Sequence, residues 1–230
     1  MQSFRQFLIP FAVSSLVAVQ AACQPLNTQN EEVETTAQMN VDPVQVESKD
    51  GLKRAYFASG CFWCVEAVYE SVRGVKESIS GYSGGHTKNP TYEASNTGRT
   101  GHAEAVEVIY APEVVSFSQL VDVYFGSQNI TQVNGQGPDR GSQYRSILFY
   151  QNEDEKSIIT EKIDALNKEL GGAKVAAEVM PFQKFWLGED YHQDYEKKHP
   201  NNPYIRGVSI PRLKRFQAKF PELLKESASH

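Results

Sequence analysis

The chain has 230 residues, 40% of them apolar and 22% charged, with 28 acidic against 23 basic side chains and a formal net charge of −5. With only 3 cysteines, 16 glycines and 11 prolines, this composition excludes a disordered, collagen-like or disulfide-stapled chain. The acidic balance argues against a nucleic-acid-binding footprint.

Residues 1–22 read as an export signal. Arg5 precedes an apolar stretch from Phe7 to Val19, and Ala21-Ala22 supply the small residues of a cleavage site. Cys23 follows directly. A small residue before a cysteine points to a bacterial lipoprotein signal, in which that cysteine is lipidated and becomes the mature amino terminus. Gln20 stands where such signals usually carry an apolar residue, so simple cleavage and an uncleaved anchor stay open. Each reading places the domain outside the cytoplasm, in the cell envelope or periplasm. Residues 23–51 are polar and acidic, without an aromatic residue, and predict a flexible tether. No later apolar run is long enough to span a bilayer.

From residue 52 to 230 the texture is that of one domain, whose roughly 180 residues can bury about 70% of their unfolded surface. Arg54 to Ala58 suits a short buried strand ended by Ser59-Gly60. Val65, Val68, Tyr69 and Val72 recur at helical spacing, which puts Cys61 at or near a helix's first turn. Gly74 ends that helix, and Val75 to Tyr82 reads as a strand. A polar loop from Ser83 to Gly101 leads to a strand over Ala105–Tyr110. Ser116 or Ser118 can cap a helix carrying Leu120, Val121, Tyr124 and Phe125. After a second loop, Gly126 to Gln143, come a strand over Tyr144–Tyr150, a helix with the acidic start Asn152 to Glu155, and a strand over Val175–Val179. The order is β-α-β-β-α-β with an added α-β. It predicts an α+β two-layer sandwich: a split βαβ, ferredoxin-like core, a mostly antiparallel mixed sheet, and an extended carboxyl-terminal segment with a helix near Arg212 to Lys225.

Apart from Cys23, the cysteines are Cys61 and Cys64, in Gly60-Cys61-Phe62-Trp63-Cys64. Three residues apart at a helix start, their side chains can share one face and approach bonding distance. The free amide groups and the dipole there favour a thiolate, which predicts a lowered pKa for Cys61. A structural disulfide is a weaker reading, because so short a loop constrains the unfolded chain little. A zinc site would need two further ligands, and the histidines show no finger-like spacing. A thioredoxin-type motif normally carries small or polar residues where this chain has Phe62 and Trp63. Two bulky aromatics beside a nucleophilic sulfur suit an apolar methyl group on an electrophilic centre.

The motifs Gly60-Cys61-Phe62-Trp63, Gly81 to Gly85, Asn89 to Tyr92, Thr100 to Glu104 and Gly137-Pro138-Asp139 through Gln143 to Ser146, continued by Glu189 to Gln193, occur in the order found in one family. Over about residues 53 to 205 the chain resembles the A-type peptide methionine sulfoxide reductases. The resemblance implies that Cys61 is the nucleophile, that Phe62 and Trp63 hold the substrate's S-methyl group, and that Glu104 protonates the sulfoxide oxygen. It implies that Tyr92 and Tyr144 hydrogen-bond that oxygen and that Asp139 organises the polar wall. The chemistry asks for these types: a sulfoxide oxygen leaves only when protonated, which requires an acid of raised pKa, and burial raises a carboxyl. Tyrosine hydroxyls donate without adding charge.

Two departures stand out. Gln128 to Thr131 replaces a His-Asp-Pro-Thr-like run, and Asn202 to Gly207 lacks the recycling cysteine that many members carry. Cys64 is therefore the thiol left to resolve a Cys61 sulfenic acid. The family implies no prosthetic cofactor and no metal, an external thioredoxin-like dithiol reductant, oxidised methionine-containing proteins and peptides as substrates, and a monomer. Two other readings remain at this point: a general thiol–disulfide oxidoreductase, and a surface-tethered binding module with a Cys61–Cys64 bridge.

Overall fold

A continuous apolar run, Ala55 to Ala58, builds the central strand β1 (Lys53–Ser59), whose neighbouring side chains point to opposite faces and are buried on both. The computed structural model describes residues 41–228. The export segment, Cys23 and the tether as far as residue 40 lie outside the described residues. After β1 come α1 (Phe62–Glu70), β2 (Val75–Ser83), the short α2 (Tyr92–Asn96), β3 (Ala103–Tyr110) and α3 (Phe117–Gly126). A two-residue ribbon, β4 (Gly135–Gln136) and β5 (Asp139–Arg140), precedes β6 (Ser146–Tyr150) and the long α4 (Glu153–Glu169). Then follow β7 (Glu178–Pro181), β8 (Trp186–Leu187), α5 (Tyr195–Lys198) and α6 (Ile210–Lys219).

The six-stranded sheet has the order β7-β6-β1-β3-β2-β8. Every neighbouring pair is antiparallel except β6 and β7, whose parallel pairing needs the α4 crossover. Within it, the β1-α1-β2-β3-α3-β6 unit lies as β6-β1-β3-β2, the split βαβ arrangement that the sequence predicts. Phe57, Val106 and Leu148 share one apolar cluster with α1 (Val65, Val68, Tyr69) and α3 (Leu120, Val121, Tyr124). Tyr56, Ala58, Ala105, Ile147 and Phe149 form a second cluster with Phe182, which stacks on Tyr56 at 3.7 Å.

Several boundaries move, each for a local reason. The strand predicted from Tyr144 begins at Ser146, because Ser142–Tyr144 wind into a 3-10 turn entered from Gly141 at a φ of 128°. The strand predicted over 175–179 sits at Glu178–Pro181, in register with Ile147 to Tyr150. The last helix stops at Lys219, ahead of Pro221, which has no amide hydrogen to continue it. Ser116 is the cap of α3, exchanging hydrogen bonds with Gln119. Residues 41–51, the end of the predicted tether, are tied to the domain: Val44 N–H donates to the Phe182 carbonyl at 2.7 Å and Val46 N–H to Gln151 Oε1 at 2.9 Å. Val46 packs on the second apolar cluster, which fixes that segment. Among the described residues, no helix is long and apolar enough to cross a membrane.

Candidate active site

The site forms where β1 hands the chain to α1. Gly60 makes the turn at a φ of +86°, and a Cβ there would lie 2.5 Å from Gln136 Cβ, so no side chain fits. Gln136 is held in turn by the departing loop: it accepts from Asn129 N–H at 2.9 Å and donates to Gln128 Oε1 at 3.0 Å. Cys61 is then the N-cap of α1, its carbonyl accepting from the amides of Cys64 and Val65. One helical turn brings the two thiols close enough for each to act on the other's ionisation. Both cysteines are free and buried.

Glu104, second residue of β3, stands opposite Tyr82 of β2 in the sheet and is only 1% exposed. Its Oε2 accepts the Phe62 N–H at 3.0 Å. Burial raises its carboxyl to about 8, and the neighbouring charges of Asp139 and Cys64 push in the same direction. A carboxyl in that condition holds its proton at neutral pH. Tyr92 and Tyr144 are raised chiefly by burial, and Glu104 and Cys61 act on both, so these side chains share one cluster.

The predicted lowering of Cys61 is overturned. Desolvation holds its thiol well above the ordinary cysteine range, and Cys64 and Glu104 add to that. The Phe62 amide at the helix start, which could have served the sulfur, is bonded to Glu104 instead. Cys64 is the acidic member of the pair, lowered to about 6 by the hydrogen bond from Cys61 and by the positive charge of Arg212. At neutral pH the pair therefore carries its proton on Cys61 and its charge on Cys64.

An aromatic wall faces this pair. Phe62 is fully buried among Tyr82, Tyr92 and His192, the last with its ring centre 4.7 Å away. Trp63 stacks on Tyr195 at 3.7 Å, with 7° between the planes, and its Nε1–H donates to His192 Nδ1 at 3.1 Å. His192 thus keeps its proton on Nε2, 3.6 Å from Glu189 Oε2, and burial keeps the ring neutral. Glu189 also accepts from the Tyr82 hydroxyl at 2.7 Å and the Tyr92 amide at 2.9 Å. Burying Phe62 completely is worth roughly 2–3 kcal/mol, so the wall is also part of the core.

Asp139 accepts the Tyr204 hydroxyl at 2.6 Å, and that oxygen lies 3.7 Å from Cys64 Sγ. All eight side chains singled out in the sequence therefore come together at the start of α1, although Asp139 reaches the sulfurs through Tyr204. Tyr204, Tyr195 and Arg212 carry no role in the sequence reading, and Glu189 and His192 enter it only as members of the motif Glu189 to Gln193. Only the aromatic richness of the chain's end signals the first two. A cavity of about 750 Å³ is lined by Cys64, Gln136, Asp139, Arg212 and Phe216. Glu66, Glu70 and Asp194 form the cluster, among the described residues, that could hold a metal ion. Lys197 already occupies it, its Nζ 2.6 Å from Glu70 and 2.9 Å from Asp194.

The family model for peptide methionine sulfoxide reductase matches residues 53–224. The chain is 44% identical over 171 residues to the peptide methionine sulfoxide reductase MsrA of Saccharolobus solfataricus, covering 74% of this chain and 96% of the relative. It is 43% identical over 173 residues to the MsrA of Pasteurella multocida, covering 75% and 99%. Among solved structures, methionine sulfoxide reductase A of Corynebacterium diphtheriae aligns with a TM-score of 0.61 and 30% identity, over 70% of this chain and 83% of that one. The pocket residues belong to the span that aligns, and the chain belongs to the peptide methionine sulfoxide reductase family.

Proposed function

We propose that the chain reduces the S-epimer of methionine sulfoxide, free or in proteins, to methionine. The observation that carries this reading is the meeting of a reduced Cys61 thiol, a protonated Glu104 carboxyl and the Phe62–Trp63 wall at one helix start. The aromatic rings take the S-methyl group, and the Tyr92 and Tyr144 hydroxyls hold the oxygen. Cys61 Sγ attacks the sulfoxide sulfur while its proton passes to the neighbouring Cys64, and Glu104 gives its proton to the oxygen. The S–O bond of the substrate breaks as the protonated oxygen passes to Cys61 Sγ. The bond between the two sulfurs breaks with its electron pair staying on the substrate, and methionine leaves reduced while Cys61 is oxidised to the sulfenic acid. Cys64 Sγ then displaces the hydroxyl from Cys61, its own proton departing with that hydroxyl as water. The Cys61–Cys64 disulfide so formed is reduced by an external thioredoxin-like dithiol, and Glu104 recovers its proton from solvent.

No prosthetic cofactor or metal enters this cycle, whose electrons all come from thiols. The sequence features of residues 1–22 and Cys23 support export and an anchor through a lipid on Cys23, and membership of the family supports a monomer acting on oxidised methionine-containing proteins. The mass of the mature amino terminus tests the anchor. The activity is tested by epimer-resolved reduction of a methionine sulfoxide peptide with dithiothreitol. Wild type is expected to consume the S-epimer and leave the R-epimer, and Cys61→Ser to consume neither. Activity retained in Cys61→Ser would overturn the assignment.

A further inference from the structure

Arg212 is a buried cation that the reaction above leaves without a role. It projects from α6, 7% exposed, and its hydrogen bonds end on neutral acceptors: Nε on the Ser127 carbonyl at 2.8 Å, Nη1 on the Ser59 carbonyl at 2.9 Å, and Nη2 on Ser59 Oγ at 3.0 Å. A guanidinium taken out of water is costly unless an anion lies nearby, and none of these partners is one. Asp139 is one anion on which its charge acts, and two contacts place the thiol pair beside it as well. Ser59 is two residues ahead of Cys61, on the strand end that presents it, and Arg212 lines the same cavity as Cys64.

We propose that Arg212 is the positioning residue of the resolving thiol: its guanidinium braces the strand end carrying Cys61 and sets a fixed positive charge beside Cys64. The proposal rests on the reading of Cys64 as the resolving thiol. The groups facing that sulfur are Cys61 on its own helix turn, Glu104 from β3, Asp139 from β5, Tyr204 and Ser209 ahead of α6, and Arg212 on α6. Of these, Arg212 is the cation, set at neutral pH against the Asp139 carboxylate and, once Glu104 releases its proton, a second one. It offsets their repulsion and keeps Cys64 anionic, ready first to take the proton of Cys61 and then to close the disulfide. Lysine would supply the charge but could not grip the Ser59 and Ser127 carbonyls together from one planar fork.

The test titrates thiolate absorbance at 240 nm in the reduced full-length protein, with Cys64→Ser identifying the step that belongs to Cys64. Arg212→Gln keeps hydrogen-bond donors for the carbonyls and removes the charge. It is expected to move that step upward by about one pH unit, the effect of an opposite charge close by, and so to cut the Cys64 thiolate about tenfold on the acid side. Arg212→Met is expected to do the same, and Arg212→Lys to restore most of the shift. If Arg212→Met fails to fold by circular dichroism, the glutamine and lysine variants decide the question. A Cys64 step unmoved in Arg212→Gln, or moved equally in Arg212→Lys, would overturn the proposal. Methionine release after mixing reduced wild type with substrate is followed separately. Its absence would refute the proposed activity while leaving the titration intact.

Discussion

Replacing Glu104 by glutamine tests whether a buried acid drives the oxygen away. The amide oxygen of Glu104→Gln can still accept the Phe62 N–H, so the helix start keeps its hydrogen bond and loses only a transferable proton. With its carboxyl at about 8, Glu104 is about nine-tenths protonated at pH 7, against about 0.3% for a carboxyl at 4.5. Burial therefore raises the competent fraction about 300-fold. A positioned general acid contributes typically about 10²- to 10⁴-fold, so kcat/KM for the sulfoxide is expected to fall by that range in Glu104→Gln. The pH profile carries the finer prediction. Wild-type kcat/KM rises as Cys64 ionises near 6 and falls as Glu104 loses its proton near 8, giving a bell centred near neutrality. Glu104→Gln keeps the acid limb and loses the basic one. Stopped-flow methionine release under single-turnover conditions reports the step directly. A variant that retained wild-type rates, or a basic limb that persisted in it, would refute the role of this carboxyl.

Three further outcomes follow from the same geometry. Cys64→Ser is expected to release one methionine per enzyme and stop, with dithiothreitol restarting turnover more readily than thioredoxin; sustained turnover with thioredoxin would remove Cys64 from the cycle. Gly60→Ala puts a methyl group 2.5 Å from Gln136 Cβ at a positive φ, and a loss of about 2 kcal/mol or more in urea unfolding is expected. Because folded Glu104 keeps its proton up to about 8 and the unfolded side chain releases it near 4.5, its protonation favours the folded state at low pH. That contribution is complete below about 4.5 and is lost as the pH climbs to about 8. Glu104→Gln is therefore expected to melt higher relative to wild type at pH 9 than at pH 5, by differential scanning calorimetry.

The ladder of β1, α1, β2, β3 and α3 was legible because each element carries its own signal: short apolar runs bounded by turn residues for the strands, and Val65, Val68, Tyr69 and Val72 on one helix face. Cys61 and Cys64 could be read because their partnership is local. Glu104 was readable as an acid only through the family motifs, since its burial follows from β3 pairing with both β1 and β2. Tyr204 and Arg212 were out of reach for a related reason. They meet Cys64 and Ser59 across 140 and 153 residues of chain, and no local pattern encodes so distant a contact. The ionisation of the thiols failed on a balance of effects. A helix start favours a thiolate on Cys61, but the desolvation of a nearly fully buried sulfur outweighs it, and the charge settles on Cys64. The edge segments shifted because β7 and residues 41–51 take their register from neighbours and not from their own sequence.

The central claim is that oxygen leaves the substrate by way of the Cys61 sulfur and that Cys64 closes on it. Peptide mapping by mass spectrometry, after mixing reduced protein with one equivalent of S-epimer methionine sulfoxide and no reductant, measures this directly. The account predicts one methionine and one Cys61–Cys64 disulfide per chain, and a trappable sulfenic acid on Cys61 in Cys64→Ser. Methionine formed while both thiols stay reduced, or a sulfenic acid found on Cys64, would contradict it.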